Sequence, residues 1–266
     1  MALITGASAG IGEAFARVFA EHGFDLVLTA RRADRLEQVA RAVAQRCGID
    51  ARIVVADLAD PAAPAAILAQ ATDAGRPVDV LVNNAGYGLP GRFLDSGWDE
   101  HARFIQVMMT AVTELVCRSL PGMIERRYGR IINVASLAGL VSGTAGHTLY
   151  GASKAFVIKF SQSVALEARR HNVHVTALCP GFTYTEFHDV NGMRAQVSQL
   201  PTWMWMDAGT VARDGYDAVM RGRILRVPGR ANRAIALAAR LTPEAVLVRV
   251  MAHHGRKYRM VERSPQ

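Results

Sequence analysis

Three glycines, Gly6, Gly10 and Gly12, separate a short apolar run from a helical one in MALITGASAGIGEAFARVFAEHG. A strand, a glycine turn and a helix in immediate succession leave little choice of fold. The glycines let the backbone come close to a phosphate, and the helix that follows offers unpaired N–H groups and the positive end of its dipole. Inside a loop the pattern would say little; after a strand and at the start of a helix it reads as a phosphate-binding turn. The opening strand, Met1 to Thr5, is short, and the natural start is expected slightly upstream of it.

The rest of the chain repeats the strand-then-helix rhythm. FDLVLTARR is a second buried strand closing in Arg31 and Arg32. An acidic residue at the end of this strand would suit the ribose 2′-hydroxyl of NAD; a basic pair suits the 2′-phosphate of NADP. The competing reading is a solvated strand end, or the start of a helix that also holds Arg35. ADRLEQVARAVAQRCG is a helix ending at Gly48, and ARIVVADLAD a third strand reaching Asp57 and Leu58. Asp57 either meets an adenine amino group or caps the next helix. Residues 61–75 form an Ala-rich helix, and VDVLVNNAGYG is a fourth strand running into Asn83-Asn84-Ala85-Gly86. Such paired Asn residues fix backbone geometry and bind a ribose, or form an ordinary turn.

Apolar residues at helical spacing (Phe104, Val107, Met108, Ala111, Leu115) then predict one long helix from Trp98, bent near Pro121. RIINVAS is the fifth strand, a helix carries Tyr150, and NVHVTALCPG is the sixth strand. A long irregular loop follows, then a helix over 207–221, a seventh strand (ILRVP), and helical stretches at 231–240 and 243–254. Thr242 and Pro243 are expected as N-cap and first residue of the last one. The alternation predicts an α/β fold of Rossmann type, a doubly wound parallel sheet of about seven strands in a single domain. Residues 1–227 form that domain, and 228–266 a basic helical C-terminal extension packed on it or at a subunit interface.

Tyr150 and Lys154 are four residues apart on a helix free of internal Pro, so they share a face one turn apart. A cation near a phenol lowers the cost of ionising it, and a phenol so placed can pass a proton. Ser136, just past the fifth strand, would offer a second hydroxyl to the same reacting oxygen.

Composition narrows the setting. No unbroken apolar run approaches the roughly 18 residues that cross a bilayer, and no leader is expected before the first strand. Three scattered cysteines, Cys47, Cys117 and Cys179, argue against a disulfide framework and for a cytoplasmic location. Eight histidines show no ligand spacing, and the neighbours His253 and His254 point apart on a helix, so no metal is expected. The net charge of +8 is local: residues 221–266 carry eleven Arg or Lys against two Glu. A solvated rim explains this better than nucleic acid, for which no module is present. Contact of the tail with a membrane surface is the less favoured alternative.

Taken in order, Thr5-Gly6-Ala7-Ser8-Ala9-Gly10-Ile11-Gly12, Asn83-Asn84-Ala85-Gly86, Ser136, Tyr150-x-x-x-Lys154 and Pro180-Gly181 resemble the short-chain dehydrogenase/reductase family, over residues 1 to about 227. LVLTARRADRLE and TALCPGFTYTEF look like its NADP-dependent subgroup. The resemblance implies an enzyme that moves a hydride between NADP(H) and a carbonyl or secondary alcohol. It implies Tyr150 as the proton donor or acceptor, Ser136 as stabiliser of the substrate oxygen, and Lys154 as the group that lowers the Tyr150 pKa and holds the nicotinamide ribose. Gly6, Ser8, Ala9, Gly10, Ile11 and Gly12 would cradle the phosphates and Arg31 and Arg32 the 2′-phosphate. Asp57 and Leu58 would meet the adenine, Asn84, Ala85 and Gly86 the adenosine ribose side, and Pro180, Gly181, Thr183 and Thr185 the nicotinamide. A homodimer or homotetramer is implied too, and the small and apolar residues on more than one face of the Tyr150 helix agree with it. One position departs from the pattern. Met108 stands where the family usually has an Asn that helps order a water, which raises the alternative of a dinucleotide-binding regulatory protein with little or no turnover. Phe182, Phe187, Trp203, Met204, Trp205 and Met206 suggest an apolar lid and an apolar substrate; lid packing or a dimer contact is the competing reading.

Overall fold

The computed structural model describes residues 1–73, 75–89, 91–186 and 201–249. The first six strands are β1 (Ala2–Thr5), β2 (Leu26–Ala30), β3 (Ala51–Val55), β4 (Val80–Asn83), β5 (Gly129–Val134) and β6 (Val173–Leu178). With the two-residue β7 (Leu225–Arg226) they form one seven-stranded sheet in the order β3-β2-β1-β4-β5-β6-β7. Every neighbouring pair is parallel. Chain order runs outward from β1 in one direction and then, from β4, in the other. The crevice between β1 and β4 is therefore the switch point at which open α/β sheets bind ligands.

The strand sequences show why both faces are covered. Leu3, Val27, Leu81 and Ile131 point to one side and Ile4, Leu28, Val82 and Ile132 to the other, all buried. A period of two with apolar residues at both phases leaves no face for water. The first side is covered by α3 (Ala63–Thr72), α4 (Trp98–Ile105), α5 (Ala111–Glu125) and α6 (Thr148–Ala168), through Ile67, Phe104, Leu115 and Ala168. The second is covered by α1 (Gly10–Glu21), α2 (Ala33–Cys47) and α7 (Ala208–Met220), through Phe15, Phe19, Leu36 and Val211. α8 (Arg230–Leu241) follows β7 directly and is anchored by Asn232, 5% exposed, whose amide donates to the Pro228 carbonyl at 2.9 Å.

Several expected boundaries move. The Ala-rich helix is shorter than 61–75, because Asp60 turns the chain before it and its carboxylate accepts from the Ala62 N–H at 2.9 Å. Asp57 does not cap that helix, since Ala62 stands at its N-cap. Pro121, near which a bend is expected, lies inside α5, which continues to Glu125. Pro121 has no N–H for the Cys117 carbonyl, and both residues are exposed. The α-helical pattern is interrupted further upstream by a π-turn over Gln106–Thr110, centred on Met108. The whole run Trp98–Glu125 spans 28 residues and is, among the described residues, the one helix long and apolar enough to cross a membrane. Its apolar residues serve the interior here, with Phe104, Met108 and Leu115 buried.

Thr242 does not cap the final helix: its hydroxyl donates back to the Ala238 carbonyl at 2.7 Å and closes α8. Residues 244–249 are helical. The remainder of the expected helix to 254, with His253 and His254, and Phe187 in the loop lie outside the described residues.

Candidate active site

The C-terminal ends of the central strands carry nearly every residue singled out above. β1 delivers the glycine turn. Gly6 and Gly10 have φ of 64° and 59°, left-handed values that glycine adopts without strain. A Cβ on Gly12 would lie 2.2 Å from the Gly6 carbonyl oxygen and 2.5 Å from the Asn84 amide nitrogen, so only glycine fits. Ala9 stands at the N-cap of α1 with no side-chain cap, leaving the first-turn N–H groups open to an anion.

β4 ends against that turn. The Asn84 amide donates to the carbonyls of Thr5 at 3.0 Å and Gly6 at 3.2 Å. The Thr5 hydroxyl in turn accepts from the backbone N–H groups of Asn84 and Ala85, each at 3.0 Å. Asn84 is thus used by the protein itself to join the two strand ends. Asn83 points inward, where its amide donates to Asn133 at 2.8 Å. The Met108 sulfur lies against Gly86, 3.0 Å from where a Cβ would stand.

At the ends of β2 and β3 the groups are charged and partly exposed. Arg32 donates to Glu186 at 2.9 Å and to the Ser8 hydroxyl at 3.2 Å, while Arg31 is exposed. Asp57 accepts from the Ala59 N–H at 3.0 Å and lies 3.6 Å from Arg103 on α4. Leu58 is buried. Tyr87 sits among Arg103, Glu100, Arg31 and Asp57, and burial holds its pKa above the ordinary phenol value. Sequence reasoning missed Tyr87, Arg103 and Glu186. Tyr87 was findable from its place directly after Asn83-Asn84-Ala85-Gly86; Arg103 looks like any solvent-facing helix residue.

Ser136 follows β5 and accepts the Ala138 N–H at 3.1 Å. Its hydroxyl is hydrogen-bonded to that of Tyr150, on the first turn of α6. Lys154 is 7% exposed and donates to the Val134 carbonyl at 2.8 Å, with its nitrogen 5.8 Å from the Tyr150 ring centre. This alters the expected electrostatics. Burial raises the Tyr150 pKa, and the opposing influence comes from Ser136 rather than from the ammonium. Lys154 is itself pulled down from 10.5 to about 8, because burial disfavours its charged form. His147, the N-cap residue of α6, is likewise held below its ordinary value by burial.

The loop after β6 closes the far side. The Pro180 carbonyl accepts the Leu137 N–H at 2.9 Å, tying the loop to the Ser136 turn. A Cβ on Gly181 would lie 2.4 Å from the Asn232 oxygen, so α8 presses on this glycine. Thr183 is 4% exposed and pairs with Met206 as an isolated bridge. Thr185 packs on Gly10, its methyl 2.9 Å from a Cβ placed there. Trp205 stacks on Tyr184 at 4.8 Å and meets Phe182 at 5.6 Å, and Trp203 is 65% exposed. A cleft of about 540 Å³ lies between α3 and α5 at the opposite edge of the sheet, away from these groups.

A glycine turn at the switch point of a doubly wound sheet defines a dinucleotide-binding α/β protein. The family model described as short chain dehydrogenase matches residues 1–194. The chain belongs to the short-chain dehydrogenase/reductase family of oxidoreductases, whose members bind a nicotinamide dinucleotide and act on small molecules. It is 38% identical over 186 residues to oxidoreductase UcpA of Escherichia coli strain K12, covering 69% of each chain. A short-chain dehydrogenase from Sphingobium yanoikuyae in complex with NADPH superposes with a TM-score of 0.80 at 30% identity, over 100% of this chain and 98% of that one. One from Burkholderia phymatum in complex with NAD gives 0.81 at 26% identity, over 93% and 94%.

Lys154 makes a measurable contribution to pH dependence. Between pH of about 8 and 10.5 the unfolded chain keeps a proton that the folded chain has released from this amine. Stability therefore gains from rising pH across that window. Subtracting the unfolding free energy of Lys154→Met from that of the wild type, pH by pH in denaturant titrations, should leave a difference that rises from pH 8 to 10.5. A flat difference would contradict the buried amine.

Proposed function

We propose that the protein transfers a hydride between NADP(H) and the carbonyl or secondary alcohol of an apolar substrate. The observation that carries this is the Ser136–Tyr150 hydroxyl pair set above Lys154 at the edge that also holds the glycine turn. The turn suits a pyrophosphate, since the first N–H groups of α1 carry no side-chain cap and the helix N-terminus is the positive end of its dipole.

Bound NADPH would supply the hydride. The protein's own groups handle the charge that grows on the substrate oxygen. Tyr150, kept protonated by burial, gives its proton to that oxygen, and Ser136 donates a hydrogen bond to it. Lys154, whose amine titrates near 8, stands one helical turn below to hold the ribose and resupply the proton. The phosphates fall to Gly6, Ser8, Ala9, Gly10, Ile11 and Gly12, the adenine to Asp57 and Leu58, and the nicotinamide to Pro180, Gly181, Thr183 and Thr185.

Arg31 and Arg32, with no carboxylate at the end of β2, support NADP(H) over NAD(H). The exposed aromatic residues Tyr184 and Trp203 support an apolar substrate. The half-buried pair Phe156 and Phe160, stacked 5.9 Å apart on α6, and the exposed Leu166 support a homodimer or homotetramer. Unpaired Cys47, Cys117 and Cys179 support a cytoplasmic setting.

The test is a carbonyl screen, long-chain ketones included, read as loss of NADPH absorbance. Against an active substrate Tyr150→Phe should lower kcat by about 10²–10⁴-fold with the NADPH dissociation constant unchanged. Turnover at the wild-type rate would remove Tyr150 as the acid. In cofactor titrations NADPH should bind more tightly than NADH, and replacing Arg31 and Arg32 by Ala should weaken NADPH alone. Equal dissociation constants in the wild type would refute the NADP(H) assignment.

A second reading, a dinucleotide-binding protein with little turnover, rests on Met108. It is 2% exposed, and its thioether has a weak acceptor and no donor, so it holds no ordered water as an amide would. Met108→Asn is expected to raise kcat while NADPH affinity stays constant. A variant that binds NADPH normally and is no faster would show that Met108 does not limit the reaction.

A further inference from the structure

The Arg32 guanidinium is already engaged. One nitrogen donates to Glu186 at 2.9 Å, the other to the Ser8 hydroxyl of the glycine turn at 3.2 Å. Glu186 comes from the segment after β6, 154 residues along the chain, and its neighbour Thr185 packs directly on Gly10 of the turn. The ion pair therefore lies across the cofactor crevice, with one partner on each bank. Both side chains keep access to water, at 45% and 44% exposure, so the pair can open and exchange partners.

Carboxylate and phosphate are the two anions that match the planar fork of a guanidinium. A 2′-phosphate arriving at Arg32 would meet a carboxylate already there, and two anions at one guanidinium repel. A bare 2′-hydroxyl makes no such demand. It would leave the ion pair closed and find in the carboxylate the acceptor that, in NAD-binding sheets, an acidic residue beside the ribose provides. No acidic residue closes β2 in this chain, and Glu186 is the carboxylate that the tertiary structure brings there.

We propose that Glu186 is a specificity-determining residue for the cofactor: its carboxylate competes with the 2′-phosphate for Arg32 and so narrows the preference for NADP(H) over NAD(H). The proposal rests on Arg32 as the 2′-phosphate ligand. It makes the width of that preference a property of two distant residues rather than of the β2 end alone. An exposed ion pair is a small energetic term, so the effect expected is a few-fold change in affinity rather than an absolute switch.

The experiment titrates NADPH and NADH, by quenching of tryptophan fluorescence, into full-length wild type, Glu186→Gln, Arg32→Ala and the double variant. Glu186→Gln should raise the ratio of the NADH to the NADPH dissociation constant about three- to fivefold, within the span of an exposed pair. The increase should shrink in 1 M salt, where surface charges are screened, and vanish in the Arg32→Ala background, since the two residues act through one contact. If wild type prefers NADPH and Arg32→Ala removes that preference, but Glu186→Gln leaves the ratio unchanged, the proposal is overturned while the NADP(H) assignment stands. A ratio that rises equally with and without Arg32 overturns it as well. If the wild type shows no preference for NADPH and Arg32→Ala alters neither cofactor, the assignment itself fails and Glu186 has no 2′-phosphate to oppose.

Discussion

The seam between the ends of β1 and β4 is the contact on which the crevice depends. Parallel strands that send their chains in opposite directions have diverging ends, and something must hold those ends at a set spacing. Here the Thr5 hydroxyl accepts two backbone N–H groups from Asn84 and Ala85 and donates to the Val82 carbonyl at 3.3 Å. Asn84 returns two bonds to the carbonyls of Thr5 and Gly6. Thr5 is 1% exposed, so its hydroxyl makes these bonds away from water. Gly6 and Gly12 have no Cβ because the seam occupies that space.

A second polar chain fixes the helix of Tyr150 and Lys154 to the same frame. The Asn83 amide donates to Asn133, Asn133 to Ser161 at 2.9 Å, and Ser161 to the Val157 carbonyl at 2.7 Å. It runs from β4 through β5 into α6, the helix that carries Tyr150 and Lys154. Lys154 adds a direct bond to the Val134 carbonyl on β5. Rotation of α6 would break both links, so the positions of the phenol and the amine are set by the sheet. The polar chain is satisfied except at its β4 end, where the buried Asn83 Oδ1 has no partner.

The π-turn at Gln106–Thr110 shows how an apolar residue was accommodated near the site. One extra residue in the turn redirects the side chains around Met108, and such turns recur at functional positions. The thioether then fills the space over Gly86 and joins the core on the α5 side of the sheet. Packing at this point is close, and the thioether brings no hydrogen-bond donor to it.

Local sequence was enough for the architecture and for where most residues of the candidate site fall. Periods of two and 3.6, the glycines of the first turn, and the Tyr150–Lys154 spacing are properties of short windows, because backbone geometry repeats over short distances. Seven strands in a doubly wound sheet, Ser136 at the end of β5 and Arg31–Arg32 at the end of β2 were all legible there. Tertiary structure decided what depends on burial and on distant neighbours. The Lys154 amine looks charged and close to the phenol in sequence, yet burial lowers its pKa and the Val134 carbonyl engages it. The π-turn at Gln106–Thr110 left no mark in the helical spacing, and Pro121 is accommodated inside α5. Asp57 faces Arg103, Asn232 presses on Gly181, and Glu186 reaches Arg32 across 154 residues. No window of sequence contains such pairs, since the separation that brings their charges and volumes together exists only once the sheet has formed.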